Sequence, residues 1–562
     1  MKMIGIDLGT SNSVVSYWDG EQTKLIPNRF GKVLTPSVIG VDDDGKILVG
    51  EIAKERLISH PQLTAAAFKR FMGTSKQYQL AAHSFSPTEL SSLVLKTLKE
   101  DAEEYLKEPC TEAVISVPAY FNNIEREATI EAAKLAGLTV QSLISEPTAA
   151  ALAYGLHKDV DQSILVIDLG GGTFDVSLLE MFSGVMQVEA ISGDNQLGGE
   201  DFTQMIIQDC LRQNDLAEEL LSAELQAVIY KKAERLKIEL SSQEKGKFSF
   251  EKDQSLFHYE LTVQEYEQLC LPLLKRMRQP IGRVLSDGRI ESSSIDQMIL
   301  IGGATKNPLI KNYFSRLMKI IPYTQINPDE AVGRGAGIQA ALKTQQEMVN
   351  ELMMTDVCAH SLGVEVVNQG PNGFIGGVFE PIIERNTTIP VSKVKTFWTI
   401  KDNQEKVVFS VYQGENPMVK NNLKIGELVI NVSPKPVDTP VDCRFTYDSN
   451  GVLEVLVTDV EGNSNQLVIE SHPGKLSEEQ LQESLQKMTD LKIHPRDRAE
   501  NRLLLAKLER AYTEALGGKR QYIQQLIIEF QQTMDKQDEL ETKRLSVKIL
   551  QQLNAMEEEL WT

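Results

Sequence analysis

Two short stretches hold the residue types that handle phosphate. Residues 164–180 read ILVIDLGGGTFDVSLLE. An apolar run ends in Asp168. Gly170, Gly171, Gly172 and Thr173 follow, then Asp175 and a second apolar run. Residues 3–17 read MIGIDLGTSNSVVSY, with Asp7, Thr10, Ser11 and Asn12 in the same plan. Consecutive glycines reach positive φ without steric cost and let backbone N–H groups approach an anion. A neighbouring hydroxyl donates to a phosphate oxygen. An aspartate at a strand end suits a hydrated divalent cation, because hard cations take oxygen ligands and Mg²⁺ keeps its waters. Either stretch alone also fits an ordinary tight hairpin with a solvated Asp. The two aspartates lie 161 positions apart. One plan used twice points to a duplicated α/β fold, with a Mg-nucleotide shared in the cleft between its halves.

Further candidates are weaker one by one. Lys69 and Arg70 sit on an Ala/Phe-rich segment, 63–73, read here as helical; they fit a solvated face or an inward-pointing cation. Glu146 ends a strand and opens an alanine-rich helix with Pro147 in its first turn, so it either faces a cleft or partners the helix dipole. Glu234 and Lys237 share a helix face at i,i+3, with Ser241 beyond; a helix-stabilising ion pair is the default. Ile301-Gly302-Gly303-Ala304-Thr305-Lys306 follows a strand and precedes a helix near Pro308, a geometry that suits a phosphate or adenosine. Asn327-Pro328-Asp329-Glu330 then opens a small-residue helix that must pack closely against something.

The elements that position these residues alternate strand and helix up to about residue 345. An amphipathic helix is expected over 87–107, a strand over 113–117, and a helix over 123–136 closed by Gly137. Further strands are expected over 34–39 and 140–145. GDNQLGGEDF (193–202) reads as a glycine-punctuated loop. Residues 345–357 lack glycine and proline and read as a short linker. From 358 to about 472 short alternating strands indicate an all-β sandwich or barrel. From Leu476 to Thr562 the chain reads as polar helix, started by the capping box Ser477-x-x-Gln480 and broken at Pro495.

Length and composition agree with several folded domains. The chain has 562 residues, 41% hydrophobic and 24% charged. A formal net charge of −21 argues against broad nucleic-acid binding. Cys110, Cys210, Cys270, Cys358 and Cys443 form no CxxC pair and read as reduced thiols. No signal peptide and no apolar run of membrane-spanning length is visible, so the expected address is the cytoplasm, away from membranes.

The order of these features resembles the seventy-kilodalton heat-shock chaperones of the DnaK type. IDLGT, VPAYF (117–121), EPTAAALAYGL (146–156), DLGGGTFDVS, LGGEDF, NPDEAV, ERNTTIP (384–390) and DNQ (402–404) carry the likeness across nearly the whole chain. The short length is similar to the small HscC-like bacterial branch. The resemblance implies an actin-like ATPase domain over 1–345, a linker over 346–357, a β-sandwich peptide-binding domain over 358–475 and a helical lid over 476–562. It implies an ATP-dependent chaperone using ATP, ADP and Mg²⁺, binding unfolded polypeptide and partnered by a J-domain co-chaperone.

Residue roles follow from the same resemblance. Asp7 and Asp168 would hold Mg²⁺ through water. Thr10, Ser11 and Asn12 would form the first phosphate loop, and Gly170, Gly171, Gly172 and Thr173 the second. Lys69, Thr173, Glu146 and Asp175 would serve hydrolysis. Glu234, Lys237 and Ser241 would clamp adenosine, with Gly302, Gly303, Lys306 and Asp329 on the adenine and ribose side. Val364, Phe397, Val407, Phe409 and Val411 would wall a peptide groove, although each also fits an inward strand face. Val367 and Ile400 would stand at the arch over it. Arg126, Pro147 and Asp356 would relay nucleotide state to the linker.

The chain departs from the family pattern in places. Lys306 replaces an arginine, and the two are not equivalent at a stacked site. The linker reads Leu352-Met353-Met354-Thr355-Asp356, not an unbroken leucine run. The stretch 243–260 is short in the lobe that exchange factors grip, which leaves use of an exchange factor open. The lid has 87 residues and no long tail. A small-molecule kinase of the same ATPase fold is the alternative reading.

Overall fold

The computed structural model describes residues 2–42, 44–154, 161–182, 185–323, 325–344, 353–370, 373–432, 434–448, 451–470, 495–515 and 517–558. They fall into two units, Met1–Thr355 and Asp356–Thr562. None of the described helices is long and apolar enough to cross a membrane.

The first unit repeats one sheet plan. Strand Ile4–Asp7 runs antiparallel to Asn12–Trp18 and parallel to Glu112–Val117, which in turn lies parallel to Thr139–Ser145. Strand Gln162–Leu169 runs antiparallel to Phe174–Phe182 and parallel to Gln297–Ile301. The lead strand of each sheet is apolar on both faces: Ile4, Ile6, Ile164, Leu165, Val166 and Ile167 are all inaccessible. Strands paired parallel and covered on both sides need such unbroken runs. The first ends in Asp7 and the second one residue past Asp168, where the chain turns back.

Helices pack on these sheets with the expected punctuation. Pro87–Leu106 starts at a Ser86/Glu89 capping box, and Asn123–Leu135 at an Asn122/Glu125 box. Gly137 follows the latter at φ 74, the left-handed stop the sequence indicated. The small-residue helix Ala331–Thr344 crosses Glu146–Ala153 so closely that a Cβ on Gly335 would sit 1.7 Å from the Ala149 carbonyl oxygen.

Three local expectations are corrected. Residues 63–73 are not a helix. Thr64–Ala66 is a strand paired with Val38–Gly40, Ala67 is left-handed at φ 53, and Phe68–Phe71 is a single 3-10 turn. Sheet pairing outweighs the helix preference of the alanines. The loop at 193–202 shrinks: strand Val185–Asp194 includes Gly193, and helix Gly199–Gln213 begins well before Phe202. The strand read at 34–39 is two pieces, Thr35–Pro36 and Val38–Val41.

Near its end the first unit gains a strand: Val185, Met186 and Gln187 pair in parallel with Met353, Met354 and Thr355. These lie within the stretch expected as a linker, whose residues 346–352 fall outside the described residues.

The second unit opens on two four-stranded antiparallel sheets. One runs Gly373–Ile383, Leu362–Gly370, Lys406–Gln413, Leu423–Asn431; the other runs Val391–Trp398, Pro440–Tyr447, Val452–Asp459, Ser464–Glu470. Their inner faces share one apolar core. The long strand Gly373–Ile383 escaped the sequence reading, because its glycines and Pro381 mask the alternation. Helices Ala499–Glu514, Gly517–Asp535 and Glu539–Glu558 bury a separate core around Leu508, Phe530 and Ile549. The turn after Gly517–Asp535 meets the edge strand Val391–Trp398. The Gln537 amide accepts from Val394 N–H at 3.0 Å and donates to Val394 C=O at 3.3 Å. The capping box at Ser477 and the helix expected after it, up to residue 494, lie outside the described residues.

Candidate active site

Both glycine hairpins meet at a cavity of about 500 Å³ in the first unit. Its wall carries Asp7, Thr10, Ser11, Asn12, Lys69, Glu146, Asp168, Gly170, Gly171 and Thr173. The hairpin tips touch: a Cβ on Gly171 would stand 2.0 Å from Ser11 Oγ, and one on Gly172 would stand 2.9 Å from Thr10 Cγ2. The first tip is tied at Gly9, whose N–H donates to Ser13 Oγ at 3.2 Å and whose carbonyl accepts from Ser37 Oγ at 2.7 Å. The second tip is tied by the start of helix Gly199–Gln213. Gly199 N–H donates to Gly170 C=O and Glu200 N–H to Gly171 C=O, both at 2.9 Å. Two N–H groups that a helix start leaves unpaired thus fix the loop's carbonyls. Gly172 and Asp175 stand behind the wall rather than on it.

The floor of the cavity is a cluster of buried charge. Lys69, 4% exposed, donates to Glu146 Oε1 at 2.8 Å. Ser116 donates to Asp7 Oδ1 at 2.8 Å. Tyr120 N–H donates to Asp175 Oδ1 at 3.2 Å, while Asp175 Oδ2 is buried with no partner among the described residues. Burial, reinforced by Glu146, pushes the Asp7 carboxyl up to about 7 and Asp175 up to about 8, and raises Asp168 well above the carboxylate range. Burial alone would lower Lys69, but Glu146 and Asp7 hold its ammonium above the usual lysine value. Four carboxyls therefore face one lysine. A divalent cation bound among them would favour their ionised forms. Among the described residues no three His, Cys, Asp or Glu side chains converge to ligate a metal directly. The oxygen donors of Asp7 and Asp168 are of the kind a hard divalent cation takes.

The opposite wall carries Glu234, Lys237 and Ser241 from helix Ala223–Glu239 and the turn after it, with Gly302, Gly303, Lys306 and Asp329. The expected Glu234–Lys237 ion pair is not how Lys237 is used. Its ammonium donates to Gly199 C=O at 2.8 Å and to Thr203 Oγ1 at 2.7 Å, bridging to the helix that ties the second hairpin. Gly302 adopts φ 82, and a Cβ there would lie 2.4 Å from Leu169 C=O. Lys306 pairs with Asp329, so both are engaged. Lys54, Glu200 and Tyr230 also line the cavity and went unread. Lys54 belongs to no motif. Glu200 lies in LGGEDF, where the loop reading hid its helical position.

The remaining candidates lie apart from this cavity. Arg126 donates to Phe121 C=O at 3.1 Å, and Pro147 is buried in the first turn of Glu146–Ala153. In the second unit Asp356 pairs with Ile389 across a strand ladder. Val364 and Val411 face each other in register, and the Phe397 and Phe409 rings meet edge to face at 5.5 Å. Val364, Phe409 and Val411 are core, Phe397 and Val407 half-buried, and Val367 and Ile400 each 41% exposed.

Comparison with known proteins gives this arrangement its context. The family described as Hsp70 protein matches residues 3–561. The chaperone protein DnaK of Thermosipho melanesiensis is 41% identical over 506 residues, 85% of this chain and 82% of that protein. A duplicated phosphate-hairpin ATPase and a match over the full length point the same way. The chain belongs to the Hsp70 family, the ATP-dependent chaperones of the DnaK type.

Proposed function

We propose that the cavity of the first unit binds ATP with Mg²⁺ and that its hydrolysis controls the hold on an unfolded polypeptide in the second unit. The observation that carries this is the meeting of two tied hairpins over one buried lysine and four carboxyls, of which Glu146, Asp168 and Asp175 are buried and Asp7 is partly exposed. Asp7 and Asp168 would hold Mg²⁺ through its waters. The ion supplies charge neutralisation at the phosphates. Thr10, Ser11 and Asn12, with Gly170 to Thr173, offer N–H and hydroxyl donors to the phosphate chain. Lys69, held by Glu146, positions a water and stabilises charge at the γ-phosphate, with Thr173 alongside and Asp175 behind. Phosphoryl transfer needs little beyond such positioning and electrostatics.

Glu234, Lys237 and Ser241 would clamp the adenosine, with Gly302, Gly303, Lys306 and Asp329 on its other side. In the second unit the half-buried Val407 and Phe397 would wall the peptide groove, with the buried Val364, Phe409 and Val411 beneath them and Val367 and Ile400 at its arch. Arg126, Pro147 and Asp356 would form the relay. The domain division at 345, 357 and 475, a J-domain partner, ADP as the product state, a cytoplasmic address and the HscC-like placement belong to the same reading.

Magnesium-dependent ATPase activity with and without a panel of unfolded peptides tests it, on wild type and Thr173→Ala. Wild type should turn over and respond to peptide. The variant should lose most turnover and the response. Transfer of the γ-phosphate to a sugar or acid faster than hydrolysis would favour the kinase instead.

A further inference from the structure

Arg70 is not on the cavity wall, yet it reaches the second hairpin from beneath. Its Cγ and Cδ occupy the space that a Cβ on Gly172 would fill, at 2.5 Å. Its Nη2 lies 3.4 Å from Asp201 Oδ2. That same carboxylate oxygen accepts from Gly198 N–H at 2.7 Å, closing the start of helix Gly199–Gln213. The helix start in turn holds the carbonyls of Gly170 and Gly171. Arg70 Nε is buried and finds no partner among the described residues. Its neighbour Lys69, on the same 3-10 turn, faces Glu146.

One turn of the first half thus contributes two cations with different tasks. Lys69 faces the cavity floor. Arg70 passes under the glycine tip and ends at the helix that fixes it. With the Gly170 and Gly171 carbonyls drawn toward that helix, the following N–H groups are left for the cavity side. A shift of about 1 Å in such donors is enough to cost a large factor in rate.

We propose that Arg70 is a positioning residue for hydrolysis: with Asp201 it braces the second phosphate hairpin against the first half of the ATPase unit. The inference rests on the reading of the cavity as the ATP site. The glycine at 172 is needed because the arginine's arm crosses there. The long Nη2–Asp201 separation leaves room for the brace to tighten when phosphate draws the hairpin in.

The test compares the full-length chain with Arg70→Met, Arg70→Lys, Asp201→Asn and the Arg70→Met/Asp201→Asn double variant. The readouts are single-turnover hydrolysis of ATP and dissociation of fluorescent ADP, both with Mg²⁺. Methionine keeps the apolar arm and removes the guanidinium. Expected is a loss in the hydrolysis step of roughly tenfold to a hundredfold for Arg70→Met, with faster ADP release and partial recovery in Arg70→Lys. Asp201→Asn should give a smaller loss of the same kind, and the double variant should be no worse than Arg70→Met alone. A merely structural arginine would instead lower the unfolding midpoint and leave the hydrolysis step of folded protein unchanged. That result, or losses that multiply in the double variant, overturns the inference while wild type still hydrolyses ATP. Wild type that binds no nucleotide overturns the cavity reading itself, and this inference with it.

Discussion

Lys69 Nζ and Glu146 Oε1 are 2.8 Å apart with both side chains buried, the one joined by a 3-10 turn to a strand, the other opening a helix. Removing one member of such a pair is costly because the other charge stays behind. Lys69→Met should lower stability by about 3–5 kcal/mol and slow hydrolysis by a factor on the order of a hundred or more. Adding Glu146→Gln should restore much of the stability and none of the activity. Urea unfolding and single-turnover assays check both. Full activity in Lys69→Met would remove the lysine from the chemistry.

The acidic floor has a proton signature. Asp7 and Asp175 rise from 3.8 to about 7 and about 8 on folding. Between about pH 4 and 8 the folded chain therefore holds more protons than the unfolded one, so stability without ligand falls as pH rises through that window. The slope should be on the order of 1 kcal/mol per pH unit. A divalent cation favours the ionised carboxyls, so binding of Mg-nucleotide at pH 7 should release protons. Calorimetry in two buffers of different ionisation heat would show it. A binding enthalpy that ignores the buffer would refute the cation assignment.

Gly335 provides a contest between two effects of known sign. Alanine in a helix interior is favoured over glycine by about 1 kcal/mol. Here the added Cβ would lie 1.7 Å from a backbone oxygen of the crossing helix, which cannot be relieved by a rotamer change. Overpacking of this kind costs about 1–3 kcal/mol or more. Gly335→Ala should therefore destabilise the first unit, as read by its unfolding midpoint. A stabilised variant would show that the two helices separate easily.

Phe409 and Val407 sit two residues apart on one strand face and should behave differently. Phe409 is core, so Phe409→Ala should destabilise the second unit by about 3–5 kcal/mol. Val407 is half-buried, so Val407→Ala should cost less stability and act chiefly on peptide affinity. Paired melting curves and peptide titrations separate the two. Equal stability losses would mean that both are simply core.

Much of the site was legible because its residues come in runs. DLGGGT and DLGTSN each place an acid, a glycine turn and hydroxyls within one hairpin, and a hairpin is local. Lys69 and Glu146 were legible only as alternatives, since their pairing spans 77 positions and two elements. Tyr230 and Lys54 had no local signal, and Glu200 was hidden inside a motif read as loop: all three reach the cavity only when helices from both halves close over it. Residues 63–73 misled for a related reason. Their alanines favour helix, but Thr64–Ala66 is taken up as the edge of a three-stranded sheet beside the central strand Val38–Val41. In the second unit the alternating strands were readable, while Gly373–Ile383 was hidden by its own glycines.

The three-residue parallel pairing of Met353–Thr355 with Val185–Gln187 has a mechanical consequence. A seam this short contributes only a few backbone hydrogen bonds, each worth about 1 kcal/mol net. It can peel and reseal at ordinary temperature without unravelling the sheet beneath. The sheet it borders also contains the strand that carries Asp168, two strands inward from Val185–Asp194. A tug on the chain beyond Thr355 thus loads the same sheet that carries Asp168, with Val185–Asp194 and Phe174–Phe182 lying between the two.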